Sequence, residues 1–257
     1  MDFTEDFYLN SRINNSHIGL FEFSSIDRLF QISPKLSSEL WPTSWVRIQY
    51  KSYPRSSKIV LPKPKSKLIK KSLAKVILNR HSLINSKDKN INLETLSALL
   101  GFSCGVIKIG REPNLFRRTY PSAGRRYPLE VYLIIKIDGG RNIFHYNVLE
   151  HKLEMLNSIS DKELLNALTE KEQINSPLLI VITGVFLRSY VKYGDNAYRL
   201  ILIEAGHLGQ NLSLVGEALN LDVCPLRGFI EGKLNKIIKV DGYFESSLYM
   251  FSFGARK

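Results

Sequence analysis

At 257 residues the chain is long enough for one large domain, or a domain with an extension, around a substantial core. Its hydrophobic and charged fractions, 44% and 23%, are those of an ordinary globular protein, and it has no run of about twenty apolar residues to span a bilayer. The net charge of +12 comes from one stretch: Trp41 to Lys87 holds 12 basic residues and no acidic one, leaving 24 basic against 24 acidic elsewhere. A solvated basic arm, a phosphate-bearing cofactor, an acidic peptide and a nucleic acid all fit that concentration. The two cysteines, Cys104 and Cys224, match no zinc or redox spacing, and the five histidines form no i, i+4 pair, so no metal site is expected. The start, Met1 to Asp6, is acidic and lacks an apolar secretory core, so a reducing cytoplasm is the expected location.

Residues 1–72 are rich in Ser, Asn, Lys and Pro and read as a basic N-terminal extension; 73–257 read as the folded domain. In the extension, Pro62-Lys63-Pro64-Lys65 should be extended, because proline fixes φ and restricts the residue before it. Trp41 and Trp45 point to partial packing of this arm. Ser72 to Asn79 predicts a helix ending near Arg80-His81-Ser82. Asn92 to Leu100 reads as a capped helix stopped by Gly101. Glu130–Ile135 is a buried strand. Ile143–Val148 and His151–Met155 form a hairpin. Asp161–Leu168 is a short helix and Leu178–Thr183 another buried strand. Tyr198–Leu219 is the strongest helix, apolar nearly all round, which puts it at the centre or at a subunit interface. His207, on that helix, reads as a core residue. Ser247–Phe253 is a strand ending at Gly254. Helices and strands mix without a regular βαβ rhythm, which favours α+β.

Two stretches carry candidate chemistry. Pro121-Ser122-Ala123-Gly124, flanked by arginines and feeding a strand, is a tight turn with amides able to face outward. The arginines beside it can neutralise an anionic ring or phosphate. On spacing alone, a plain turn with exposed arginines fits better. Val191-Lys192-Tyr193-Gly194 precedes the long helix, where Lys192 reads as a surface lysine or as a base. Lysine is a poor base at its ordinary pKa of about 10.4, but burial or a neighbouring cation frees the neutral amine. The chain has neither a Gly-x-Gly-x-x-Gly after a strand nor a P-loop.

Pro121-Ser122-Ala123-Gly124 followed by Tyr127-Pro128-Leu129-Glu130 resembles the flavin loop of the nitroreductase-like, SagB-type (thiazole/oxazole) azoline dehydrogenases. Four further stretches resemble the same family in the same order. They are Tyr50 to Pro62 in the arm, Arg80-His81-Ser82, Gly206 to Leu212, and Cys224 to Phe229 with the last strand. The resemblance implies an α+β nitroreductase-like FMN-binding fold, a mixed sheet flanked by helices, as a homodimer with FMN at the subunit interface. It implies that Arg80 contacts the FMN phosphate, that Ser82 adds a hydroxyl, and that Pro121, Ser122, Ala123 and Gly124 lie against the isoalloxazine. Asn211 and Gly228 are implied as flavin-pocket residues, and Arg256 as a terminal phosphate ligand. Arg125 departs from the small or apolar residue expected after Gly124, which bears on the substrate side of the loop.

By the same resemblance Lys192 and Tyr193 are the catalytic pair. Azoline oxidation removes a hydride to the flavin and a proton to a base. The function so implied is FMN-dependent oxidation of peptide thiazolines or oxazolines to azoles, on a modified precursor peptide, beside a cyclodehydratase. Three alternatives stay open. They are a general NAD(P)H-dependent nitro or quinone reductase, a basic protein gripping nucleic acid through Trp41–Lys87, and a flavin-free scaffold. The arm carries no recognised nucleic-acid motif or stacking platform, which weighs against the second.

Overall fold

The computed structural model describes residues 50–83, 91–108, 116–226 and 228–256. Trp41 and Trp45 lie outside them. The central element is a seven-stranded sheet. Its strands are β1 (Lys58–Val60), β4 (Leu129–Ile137), β5 (Gly140–Asn147), β6 (Lys152–Ile159), β7 (Leu178–Val185), β8 (Leu221–Leu226) and β9 (Glu245–Ala255). They are ordered β1-β6-β5-β4-β7-β9-β8, and every pairing is antiparallel. A separate two-stranded ribbon joins β2 (Val106–Lys108) to β3 (Phe116–Arg118). The helices are α1 (Leu73–Asn79), α2 (Leu93–Cys104), α3 (Asp161–Ala167), α4 (Leu187–Tyr193), α5 (Ala197–Ala218) and α6 (Glu231–Ile238).

The sheet is covered on both faces, and the strands show it residue by residue. Side chains alternate across a pleated strand. Leu129, Val131 and Leu133 of β4, with Leu178, Ile180 and Ile182 of β7, face a core shared with Leu96, Leu99 and Leu100 of α2 and Ile201, Leu208 and Leu212 of α5. The intervening Tyr132, Ile134, Leu179 and Val181 face a second core with Leu164 of α3 and Leu234 and Ile238 of α6. Two buried faces leave no polar stripe, so the central strands read as continuous apolar runs.

The helix starts follow local chemistry. Ser72 Oγ caps α1, Asn92 Oδ1 accepts the Thr95 amide at 2.8 Å, and Ser160 with Glu163 makes a capping box on α3. Gly101 does not stop α2, which runs on to Cys104. Instead it makes room: a Cβ at Gly101 would collide with the Pro64 ring. Glycine is there for a close approach, not as a helix end.

The segment read as an extension reaches into this sheet. β1 pairs with β6, Leu61 is buried in the first core, and Gly101 packs against Pro64. Three of its lysines meet acids of the domain: Lys51 with Glu245 at 2.5 Å, Lys65 with Glu94 at 2.5 Å, and Lys71 with Glu217 at 2.7 Å. The long helix α5 is apolar all round in sequence but buries one stripe, Ile201, Glu204, Ala205, Leu208 and Leu212. Leu202 and Ile203 are exposed at 37% and 51%. His207 is exposed as well, contrary to the core reading, because at about 100° per residue it lies roughly a third of the way round the helix from the Ile201–Leu208 stripe. Among the described residues no helix is long and apolar enough to cross a membrane.

Candidate active site

The topology brings the two sequence stretches together. β4 and β7 are antiparallel neighbours, with Leu129 opposite Gly184. The chain entering β4 and the chain leaving β7 therefore emerge at the same end of the sheet. The Val185 amide donates to Pro128 O at 2.8 Å, which ties the two together. The first is the Pro121–Gly124 turn; the second becomes α4, with Lys192 and Tyr193 in its last turn. A Cβ placed on Gly124 would meet the Tyr193 hydroxyl, and the Lys192 Nζ at 2.9 Å. Gly124 has φ 55°, so this position favours glycine both for its backbone and for the side chains pressed against it.

The turn is held from below. Buried Arg118 donates to Tyr120 Oη and to Leu129 O, both at 3.0 Å. Tyr120 and Tyr127 meet edge to face at 5.9 Å, and Tyr127 Oη accepts the Arg118 amide at 3.0 Å. Ser122 Oγ accepts the Tyr127 amide at 2.8 Å. Arg125 and Tyr127 also adopt positive φ, 55° and 46°, a left-handed backbone that costs about 1 kcal/mol or more per non-glycine residue. Three such residues in four positions mark a turn imposed by its surroundings.

Helix α4 is pinned to the sheet through Arg188. Its guanidinium pairs with Glu130 Oε1 at 2.6 Å and donates to Tyr127 O at 3.2 Å. Arg126, also buried, donates to Arg188 O at 2.6 Å. Glu130 continues to His145 Nε2 at 2.9 Å, and His145 Nδ1 lies 2.9 Å from Glu154. Burial alone would raise the Glu130 carboxyl, but Arg188, His145 and Arg118 hold it down at about 2.

The electrostatics of the pair follow from this setting. Lys192 sits 5.7 Å from the centre of the Tyr193 ring. Its ammonium is pushed below the ordinary lysine value by burial first, then by the cations Arg126 and Arg125. These are the two influences that free a neutral amine. Tyr193 is raised, mainly by burial and also by Glu204, against the pull of Arg126. The two shifts run the same way in effect: the Lys192 amine is released more easily from its proton, and the Tyr193 phenol holds its proton more firmly.

The other sequence candidates are spread more widely. Arg80 follows α1 directly and is half-buried, while Ser82 is exposed; the Leu83 amide fastens this stretch to Val223 O of β8 at 3.1 Å. Asn211 donates to Ser103 O and Thr119 O, at 3.2 and 3.3 Å, so its amide clamps the end of α2 to the base of the turn. Gly228 packs against Thr169 and Glu170, on the far face of the sheet. Arg256 is engaged by Glu217 at 2.7 Å and Asp222 at 2.9 Å, so its guanidinium already has two carboxylate partners. These pairings make it an internal anchor at the position where the resemblance implies a phosphate ligand. Leu83, three residues after Arg80, and Arg256 both bond to β8, at Val223 O and Leu221 O.

One buried group near the site was not read from the sequence. Glu204, on α5, is 3% exposed. Burial raises its carboxyl to about 7, although Ser122, Arg118 and Arg188 pull the other way. Its signal was present: a glutamate on the i, i+3, i+4, i+7 stripe of Ile201, Glu204, Ala205 and Leu208. The two cysteines are buried, and burial pushes the Cys104 thiol up to about 12, leaving it inert.

A sheet covered on both faces, with a glycine turn and a Lys–Tyr pair at one end, is an α+β architecture with a candidate site at the sheet's edge. The nitroreductase family model matches residues 77–255, and the chain belongs to that family. It is 27% identical over 175 residues to the nitroreductase-named protein MJ1384 of Methanocaldococcus jannaschii, across 66% of this chain and 86% of that one. It is 29% identical over 183 residues to the microcin B17-processing protein McbC of Escherichia coli, across 66% of this chain and 65% of McbC. The fold also matches the Escherichia coli microcin synthetase McbBCD complex with truncated pro-MccB17 bound. That match has a TM-score of 0.59 and 20% identity, over 99% of this chain and 92% of that one.

Proposed function

We propose that this protein is the FMN-dependent oxidoreductase that converts thiazoline or oxazoline rings of a modified precursor peptide to azoles. The observation that carries the reading is the contact of Lys192 and Tyr193 with Gly124 of the turn. The relation to McbC, a peptide-processing protein, supports it. A general nitroreductase has no need of a base poised at this point, whereas azoline oxidation must dispose of a proton.

The residues fit FMN. The Pro121–Gly124 turn has no side chain beyond Cα at Gly124, and Arg80 and Ser82 supply a cation and a hydroxyl for a phosphate. Bound FMN supplies a two-electron acceptor for hydride. Lys192 then acts as the base: its neutral amine takes the ring proton at Nζ. Tyr193, kept protonated by burial and by Glu204, donates a hydrogen bond that orients the substrate or the amine. Arg125, exposed beside them, faces the entering peptide. A cyclodehydratase working beside the protein would supply the azoline.

The deciding experiment loads Lys192→Ala with FMN and assays an azoline peptide. We expect turnover to fall at least about a hundredfold while the flavin spectrum is kept, as for loss of a general base. A normal rate in that variant would sink the reading. The relation to MJ1384 favours a second reading, a general NAD(P)H-dependent reductase. Rapid bleaching of the flavin by NAD(P)H, with no azoline turnover, would select it. The homodimer implied by the family resemblance belongs to the same proposal, with α5 at the interface.

A further inference from the structure

Lys192 and Tyr193 close α4, a helix of seven residues, and behind that helix runs a line of buried side chains. Arg188 and Lys192 are four residues apart, so they sit one turn apart on the same face of α4. Arg188 meets Glu130 Oε1 of β4 at 2.6 Å. The other oxygen of Glu130 lies 2.9 Å from Nε2 of His145 on β5, and Nδ1 of His145 lies 2.9 Å from Glu154 Oε2 on β6. Strand register makes the line. His145 stands opposite Tyr132 of β4 and opposite Glu154 of β6, and Glu130 is two residues from Tyr132, on the same face. Carboxylates only accept hydrogen bonds, so the imidazole donates at both nitrogens and ties the two acids together. The line ends in the arm. Glu154 accepts the Tyr53 amide at 2.9 Å and Asn147 Nδ2 at 3.0 Å, and the His145 ring packs against the rings of Tyr53 and Tyr132, each 5.2 Å away. Lys51 fastens the arm again beside it, donating to Tyr132 Oη at 2.7 Å and to Glu245 at 2.5 Å. His145 and Glu154 are fully buried, and Glu130 and Arg188 nearly so.

We propose that His145 is a positioning residue of this site: held between Glu154 and Glu130, it fixes the carboxylate that grips Arg188, and so sets α4, with Lys192 and Tyr193, against Gly124. The inference deepens the proposed function and rests on it only for the identity of the substrate. Every link is a direct contact, from the Tyr53 amide through Glu154, His145 and Glu130 to Arg188. A helix this short does not hold its shape alone, so its anchor decides where its last turn lies. A buried ion pair is favourable only while its remaining lone pairs are satisfied. His145 satisfies the second oxygen of Glu130; without that donor the carboxylate is free to turn away from Arg188. Tyr53 precedes residue 77, where the nitroreductase family match begins, so the arm contributes to this hold from outside the matched stretch.

The test follows backbone hydrogen exchange of the purified full-length chain by mass spectrometry, with azoline turnover of the FMN-loaded protein measured in parallel. Helix α2, packed in the first core on the other face of the sheet, is the internal reference. His145→Phe keeps a ring of similar size and removes both donors. The α4 amides should then exchange at least about tenfold faster while those of α2 keep their rate, because one element opens without global unfolding. For azoline, kcat should fall at least about tenfold with KM within about twofold, as for an interaction that serves the chemical step. Arg188→Met should loosen α4 to the same extent, and the double variant should be no looser, because both changes cut one line. A merely structural histidine would speed exchange in α4 and α2 alike, or add its effect to that of Arg188→Met; either result overturns the inference, as does α4 exchange at the native rate. If His145→Phe does not fold, His145→Gln, which keeps one donor, replaces it, and native α4 exchange in that variant overturns the inference. Loosened α4 in a protein whose native form turns over no azoline would sink the proposed substrate and leave His145 standing. Azoline turnover by the native protein with kcat unchanged in His145→Phe would do the reverse.

Discussion

The ammonium of Lys192 is lowered in part by neighbours 66 and 67 positions away in the chain. Burial and the charges of Arg126 and Arg125 lower its ammonium below the ordinary range. The amine is protonated below that lowered value and neutral above it, so azoline turnover should rise with pH through it. Arg125 is exposed and can be removed without opening the core. In Arg125→Ala the lysine loses one repelling cation, so the rise should move to higher pH; a kcat/KM profile measures this, and an unmoved or lowered midpoint would refute it. Two other cations separate binding from stability. Among the described residues no carboxylate pairs with Arg80, whereas Arg256 holds Glu217 and Asp222. Arg80→Ala should weaken FMN binding about tenfold or more with little change in Tm. Arg256→Ala should cost about 1–2 kcal/mol of stability, after allowance for its partial exposure, with the smaller effect on FMN. Calorimetry and flavin titration of both variants test this, and a reversed pattern would put the phosphate at Arg256.

Among the elements, α5 does the most. One stripe fills the first core, Glu204 is buried on it, and Asn211 clamps Ser103 and Thr119 at the base of the turn. Leu208 is fully buried on that stripe. Leu208→Ala should destabilise the fold by about 2–5 kcal/mol, as cavity-forming core substitutions do. Because the same helix supports the turn, FMN affinity should fall as well; denaturant unfolding alongside flavin titration would show whether the two losses travel together. The short α4 has a different task. It is too brief to be stable alone, and Arg188, in its first turn and buried against Glu130, anchors it one turn before the Lys–Tyr pair.

At the scale of the whole molecule, the basic stretch is partly accounted for within the chain. Lys51, Lys65 and Lys71 meet Glu245, Glu94 and Glu217, so those charges tie the arm to the domain. The exposed apolar residues on α5, Leu202 and Ile203, and on α4, Tyr190 and Val191, are what the proposed homodimer would cover. Sedimentation of the FMN-loaded protein should give twice the chain mass, and Leu202→Lys with Ile203→Lys should give monomers with weakened flavin binding. A monomeric native protein that retains flavin would remove the dimer from the proposal.

Local chemistry was legible in the sequence. The Asn92 cap, the starts of the helices near Ser72 and Asp161, the central strands and the long helix all follow from short-range hydrogen bonding and apolar periodicity, which act within a few residues. The glycine turn and the Lys–Tyr pair could be singled out by their residue types. β1, β8, α4 and α6 were missed as elements, because short segments take their form from the sheet or helix they join. Gly101 was misread as a stop because its reason is a proline 37 positions earlier. Glu204 looked like one polar break in an apolar helix. The tertiary structure alone decided that this carboxyl, the turn and the pair share one end of the sheet. That proximity depends on the antiparallel register of β4 with β7 and the packing of α5 across them, long-range pairings that no local pattern encodes.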